Sequence, residues 1–251
     1  MEQRQLNVLI ACEESQAVCK EFRALGHRAF SCDIQECSGG HPEWHVCGDV
    51  LPLLNGNCTF HTSDTHTHTQ VGEWDLIIAH PPCTYLSGAG NGYFDVSKYG
   101  DSAVKRHVDR TDAVIFFMTF LTANCKHIAI ENPVGFMNGH FRKPDQSIHP
   151  YFFAESDGDS DNYHKKRTCL WLKGLPTLKR STFLDEPQPI YVDRKTGKKR
   201  YYTDAISGIS KDGKKNRSKT FPGVAKAMAE QWGAYILSGS DQMSLFEEVS
   251  K

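Results

Sequence analysis

Short apolar runs alternate along the chain with stretches of helical spacing, and two of the runs stop at proline-framed polar loops. Asn7-Val8-Leu9-Ile10-Ala11-Cys12, Arg28-Ala29-Phe30-Ser31-Cys32, Asp75-Leu76-Ile77-Ile78-Ala79 and His127-Ile128-Ala129-Ile130 read as strands. Between the first two, Val18, Phe22 and Leu25 recur at i, i+4 and i+7 until Gly26 ends the stripe. A long apolar helix is expected over 103–124, a further strand over Thr168–Leu172, and a closing helix along Ala225, Met228, Ala229, Trp232 and Ile236. Alternating strands and helices imply a parallel sheet with right-handed crossovers. The expected fold class is therefore α/β, a Rossmann-like doubly wound, mostly parallel sheet. Residues 55–71 are polar, with His and Thr repeating over His61–Thr69, and are expected to form a loop or disordered insert. A Gly-rich loop is expected over Gly88–Gly100.

In open parallel sheets, ligands bind outside the carboxyl ends of the strands. The two proline-framed loops would lie there. One carries Cys83 in His80-Pro81-Pro82-Cys83, and the other carries Glu131 in Glu131-Asn132-Pro133. Alone, a Pro-Pro-Cys turn is most often structural, with an inert thiol, and Glu-Asn-Pro is most often a turn or cap. Together they offer one pocket a thiol nucleophile and a carboxyl acid, the groups that a reaction at an aromatic base carbon needs. Asp33 ends the second strand, where an acid commonly bonds ribose hydroxyls. Gly48-Asp49-Val50 supplies a second acid after a third strand. The first loop, Cys12-Glu13-Glu14-Ser15-Gln16, contains no glycine, which excludes a dinucleotide fingerprint and a P-loop. A cofactor with adenosine but no phosphates suits it, and S-adenosylmethionine is one.

The net charge of −1 hides a polarity. Residues 1–163 hold 11 Lys+Arg against 21 Asp+Glu, whereas residues 164–219 hold 16 against 5. A basic stretch after an acidic core is the electrostatic footprint expected for a polyanion partner. It divides the chain into an expected catalytic core (1–180), a small basic insert (181–219) and a closing helix with a short tail (220–251). Within the insert, Pro189–Asp193 and Lys198–Tyr202 flank Lys195-Thr196-Gly197 as a hairpin. Its Lys198, Lys199 and Arg200 would meet phosphates, and Tyr201 or Tyr202 would stack on a base. Nine cysteines without a Cys-x-x-Cys pair suggest reduced thiols in a cytosolic protein, with no zinc site. No apolar run approaches the roughly 18 residues of a membrane helix, and no signal-peptide core follows Met1.

The order of these pieces resembles the DNA cytosine-5 methyltransferases. The likeness runs over residues 6–172, with Thr220–Tyr235 as the final helix. It implies that Ala11, Cys12, Glu13, Glu14 and Ser15 border the methionine end of S-adenosylmethionine. Asp33 with Ile34 would hold the ribose, Asp49 would approach the adenine, and Pro81 would border the cofactor beside Cys83. Cys83 would be the nucleophile, Glu131 the acid, and Arg167, within Lys165-Lys166-Arg167-Thr168, a contact to the target base. Lys165 and Lys166 would join the DNA contacts. Three places depart from the family pattern. The first loop lacks its glycines, Phe221-Pro222-Gly223-Val224 replaces the usual Gly-Asn-Ser-Val, and 52 residues (168–219) stand where a much larger target-recognition domain is usual. The chain resembles a short form of the kind found in phage and prophage genomes, and a separate partner for specificity stays open.

The chemistry explains the residue types. Thiolate addition at carbon 6 makes carbon 5 of cytosine enamine-like, provided the Cys83 pKa falls below the usual value of about 8.5. Glu131 would bond ring nitrogen 3 in protonated form, with a pKa raised by burial. Arg167 would stabilise charge at the carbon-2 carbonyl. The target must be flipped out or already single-stranded. The base that later removes the carbon-5 proton has no sequence signal. Two alternatives stand beside this reading: methylation of an exocyclic amine, whose enzymes also carry a Pro-Pro loop, and a degenerate methyltransferase fold that binds DNA.

Overall fold

The computed structural model describes residues 4–64, 68–204 and 219–239. Its strands are β1 (Asn7–Ala11), β2 (Arg28–Asp33), β3 (His45–Cys47), β4 (Cys58–His61), β5 (His68–Val71), β6 (Leu76–Ala79), β7 (Ile128–Pro133), β8 (Gln146–Ile148) and β9 (Thr168–Lys173). Seven of them form one sheet in the order β3-β2-β1-β6-β7-β9-β8. The five from β3 to β7 pair in parallel, and β9 runs antiparallel to both β7 and β8. The order reverses between β1 and β6, which makes the cleft beyond their carboxyl ends the switch point of the sheet. The chain is thus α/β with the expected doubly wound architecture.

Helices cover both faces because the central strands are apolar on both. Val8, Ile10, Leu76, Ile78 and Ala129 face α1 (Ala17–Ala24) and the closing helix in one core. Leu9, Ala11, Ile77, Ala79, Ile128 and Ile130 alternate with them, and meet Phe117 and Phe120 in a second core. Those two rings belong to α3 (Asp101–Thr122), which follows a short α2 (Val96–Tyr99); α4 (Phe136–His140) follows β7. The closing helix is α5 (Pro222–Ala227), a π turn over Met228–Trp232, and α6 (Gly233–Ser238). All five residues of its expected stripe are buried.

Several expectations are corrected. Residues 58–71 are not a loop: β4 and β5 form an antiparallel hairpin, with 65–67 outside the described residues. Cys58, Phe60, Thr69 and Val71 point inward at every second position, and Phe60 packs against Phe30 and Trp74. The polar His and Thr residues occupy mainly the other face. Leu25 does not extend the α1 stripe, because it is the exposed C-cap. The helix expected to be apolar buries Ala103, Phe117 and Phe120 but exposes Val104, Val108 and Ile115. The Gly-rich loop is a run of 3-10 turns over Gly88–Phe94, followed by α2.

In the basic insert, β10 (Tyr191–Val192) and β11 (Lys199–Arg200) form the expected hairpin, with only two paired residues per strand. Asp193 holds the turn by accepting from the N–H groups of Lys195 (2.9 Å) and Thr196 (2.7 Å), and Gly197 supplies a φ of 66°. Residues 205–218 of the expected insert and 240–251 of the expected tail lie outside the described residues.

Candidate active site

The two proline-framed loops are tied together at the switch point. The β6–β7 register pairs Ala79 with Ile130, so the next residues, His80 and Glu131, fall side by side. Nδ1 of His80 lies 3.3 Å from Oε2 of Glu131, and the His80 N–H donates to the carbonyl of Ala11 at 2.9 Å. Asn132 donates from Nδ2 to the Pro81 carbonyl at 2.8 Å. Beyond Cys83 the loop is fastened again. Phe136 N–H donates to Leu86 O (2.7 Å), and Gly88 N–H to Val134 O (3.1 Å). Gly135 allows this approach, since a Cβ there would overlap the Leu86 carbonyl. Cys83 itself is exposed, and its carbonyl accepts from Leu86 and Ser87 N–H. It sits on a loop anchored on both flanks to the segment that carries Glu131.

Because β9 is antiparallel to β7, its start lies at the same edge, with Thr168 paired to Pro133. Exposed Arg167 and half-buried Lys166 precede it there. Lys166 is the cation whose charge acts on Glu131. Burial pushes the Glu131 carboxyl up, but the His80 hydrogen bond, the Lys166 charge and the His80 charge outweigh it and lower its pKa overall. The expectation of a raised Glu131 is therefore corrected: burial is present, and its neighbours override it. Two polar atoms here are buried without a partner, Nε2 of His80 and Oδ1 of Asn132. Sequence reasoning did not place His80 in the site. Its position directly before Pro81 was visible, but its contact with Glu131 depends on cross-strand register.

On the β1 and β2 side, the glycine-free loop turns through two left-handed residues, Cys12 (φ 59°) and Gln16 (φ 58°). The buried Glu13 carboxylate accepts from Val18 N–H (2.7 Å) and Cys19 N–H (3.2 Å), which caps α1. Ala11 and Glu14 are buried and Ser15 half-buried. Glu14 O accepts from Ser38 N–H at 2.8 Å. Asp33 Oδ1 accepts from Gln35 N–H (2.9 Å) and Asp49 Oδ1 from Leu51 N–H (3.0 Å). The Cys12 thiol is pushed up by burial, then by the charges of Asp33, Cys32 and Asp49. Cys12, Asp33 and Asp49 thus share one electrostatic neighbourhood beyond β1 and β2. Ile34 is exposed beside them, and Pro81 is buried beyond β6.

The expected phosphate contacts divide. Lys198, Lys199 and Arg200 are exposed on the hairpin. Lys165 is paired with Glu186 (2.5 Å) and bonded to the Tyr201 hydroxyl (3.1 Å), which itself donates to Glu186 (2.7 Å). Tyr202 stacks on His164 at 5.2 Å. The Tyr201 hydroxyl is thus held in this network, and one face of the Tyr202 ring is covered by His164.

Carboxylates beside a glycine-free loop suit a ligand that is cationic and free of phosphate. Among the described residues, no group of three or more His, Cys, Asp or Glu side chains is gathered as metal ligands, and no helix is long and apolar enough to cross a membrane. None of the nine cysteines, all of them described, is in a disulfide. Compared with known proteins, the chain matches no family model and no curated sequence.

Proposed function

We propose that this protein methylates carbon 5 of cytosine in DNA, using S-adenosylmethionine. The observation that carries the reading is the double anchoring of the Pro-Pro-Cys loop to the Glu131-Asn132 segment. It sets a thiol and a carboxyl group at one edge of the sheet, beside the acid-lined end of β1 and β2.

The cofactor, when bound, supplies an electrophilic methyl group; Asp33, Asp49 and the Cys12–Ser15 loop are the residues that would hold it. Cys83 adds to carbon 6 of a flipped cytosine and turns carbon 5 into a nucleophile. Glu131 bonds the hydrogen-bonding edge of the base, and Lys166 and Arg167 offset the negative charge that the addition builds on the ring. The basic hairpin engages phosphates outside the pocket.

The test is transfer of a labelled methyl group to duplex DNA, followed by bisulfite sequencing and by trapping on 5-fluorocytosine DNA. Carbon-5 label and a covalent complex through Cys83 are expected. Label on an exocyclic amine would replace this reading with amine methylation, and DNA binding without any transfer would replace it with a binding fold.

A further inference from the structure

Carbon-5 methylation through a covalent adduct leaves that carbon holding both a methyl group and a hydrogen, so turnover requires a base. We propose that His80 is that base, with Nε2 accepting the carbon-5 proton; the assignment rests on the reaction proposed above.

The geometry has the form of a carboxylate–imidazole pair. Nδ1 of His80 faces Oε2 of Glu131 at 3.3 Å, and the side chain is 10% exposed. A donor hydrogen bond from Nδ1 to a carboxylate fixes the tautomer in which Nε2 carries the lone pair. That nitrogen is buried and has no partner. A buried polar atom left unmade costs free energy, and a ligand that completes it recovers that cost. The backbone of His80 is pinned to Ala11, and Cys83 follows it by three residues, so base and nucleophile share one rigid loop.

Three other groups at this edge are committed elsewhere. Cys83 is the sulfur of the adduct. Glu13 has both oxygens occupied by the amides of Val18 and Cys19. Glu131 orients the imidazole. Of the carboxyl groups around His80, Glu131 lies on the β7 side, and Glu13, whose pKa burial pushes up, lies beyond β1. Lys166 acts on Glu131 from the start of β9.

In the step, the carbon-5–hydrogen bond breaks and its proton passes to Nε2. Its electron pair forms the carbon 5–carbon 6 double bond, and the carbon 6–sulfur bond breaks to return the Cys83 thiolate. His80 then releases its proton to solvent.

His80→Asn keeps an N–H for Glu131 and removes the base. With ordinary cytosine DNA and labelled methyl donor, the variant is expected to transfer one methyl group and stop. The labelled DNA would accumulate in a detergent-stable complex with the protein, with release slowed about 100-fold or more. Release at the wild-type rate would overturn the assignment. So would loss of methyl incorporation and adduct together in a folded variant, because His80 would then act before transfer. A second measurement does not depend on turnover: nitrogen-15 shifts of His80 at pH 8 should report a protonated Nδ1 and a bare Nε2. The opposite tautomer would refute the assignment whatever the activity. A wild-type protein with the expected tautomer but no transfer to carbon 5 would instead sink the proposed reaction, and with it this proton as the target of His80.

Discussion

The carboxyl-end site and the basic hairpin are both rich in charged side chains but treat them in opposite ways. At the site, Glu13, Glu131 and His80 are largely buried, and each is fixed by a backbone amide or by a charged neighbour. On the hairpin, Lys198, Lys199 and Arg200 stand exposed on strands of two paired residues. The difference separates two kinds of work. Groups that must present one atom in one geometry are locked by the sheet register. Under the proposed function, groups that meet a repeating polyanion need only be numerous and accessible. Substitutions in the two regions should therefore fail in different assays.

The largest effect is expected at the nucleophile. Cys83→Ser should abolish turnover, by about 1,000-fold or more, because a hydroxyl is far less ionised than a thiol. Cofactor affinity and melting temperature should stay near wild type, since the side chain is exposed. Measurable turnover would show that the site works without this thiol, and would erase the contrast between the regions.

Asp33→Ala sharpens the same side of the comparison. Loss of a charged hydrogen bond should weaken S-adenosylmethionine binding by about 1.5–3 kcal/mol in calorimetry, with the salt dependence of DNA binding unchanged. Unaltered cofactor affinity would remove the ribose role from Asp33.

Replacing Lys198, Lys199 and Arg200 together by Ala should weaken DNA binding similarly across sequences. The log–log salt slope should fall by about 0.9 for each duplex phosphate that the variant no longer neutralises. Single-turnover methyl transfer at saturating DNA should not change. A triple variant with the wild-type slope would leave the hairpin without a role.

The smallest effect concerns acid stability. The half-buried His149, which precedes the turn over Pro150–Phe153, is pushed down to about 4 by burial, then by the Lys165 charge, with Glu186 opposing and Arg167 and Arg180 adding. An unfolded histidine takes up its proton near pH 6.5, whereas the folded one stays neutral until about pH 4. Between these values the unfolded chain binds more protons. Stability is therefore full above about pH 6.5 and declines as pH falls towards 4. In His149→Gln, melting temperature should fall less over that window; an unchanged slope would locate the acid sensitivity elsewhere.

The parts legible in the sequence were those with continuous apolar character. β1, β2, β6, β7 and β9 were visible because strands buried on both faces read as unbroken runs. The closing helix was visible through Trp232 and its neighbours. The hairpin over 58–71 was hidden because half of it is water-facing His and Thr, which masked the inward alternation of Cys58, Phe60, Thr69 and Val71. β8 is three residues long and begins with two polar ones. In the site, Cys83 and Glu131 announced themselves through prolines. The protonation of Glu131 did not, because it is set by His80 and Lys166, which lie 51 and 35 positions away in the chain.

The loop after β1 carries a consequence for the order in which the molecule is assembled. One of its two left-handed residues, Gln16, is held by contacts from a distant segment. Gln16 exchanges hydrogen bonds with the His41 backbone in both directions, Ser38 donates to Glu14, and a Cβ at Gly39 would overlap the Gln16 side chain. A left-handed residue other than glycine costs about 1–2 kcal/mol. The contacts from residues 38–41 offset that cost at Gln16, so this side of the cleft is completed by the joining of two chain segments rather than by local contacts alone. A ligand that binds only the finished cleft draws that equilibrium towards assembly and raises the stability of the whole protein by mass action.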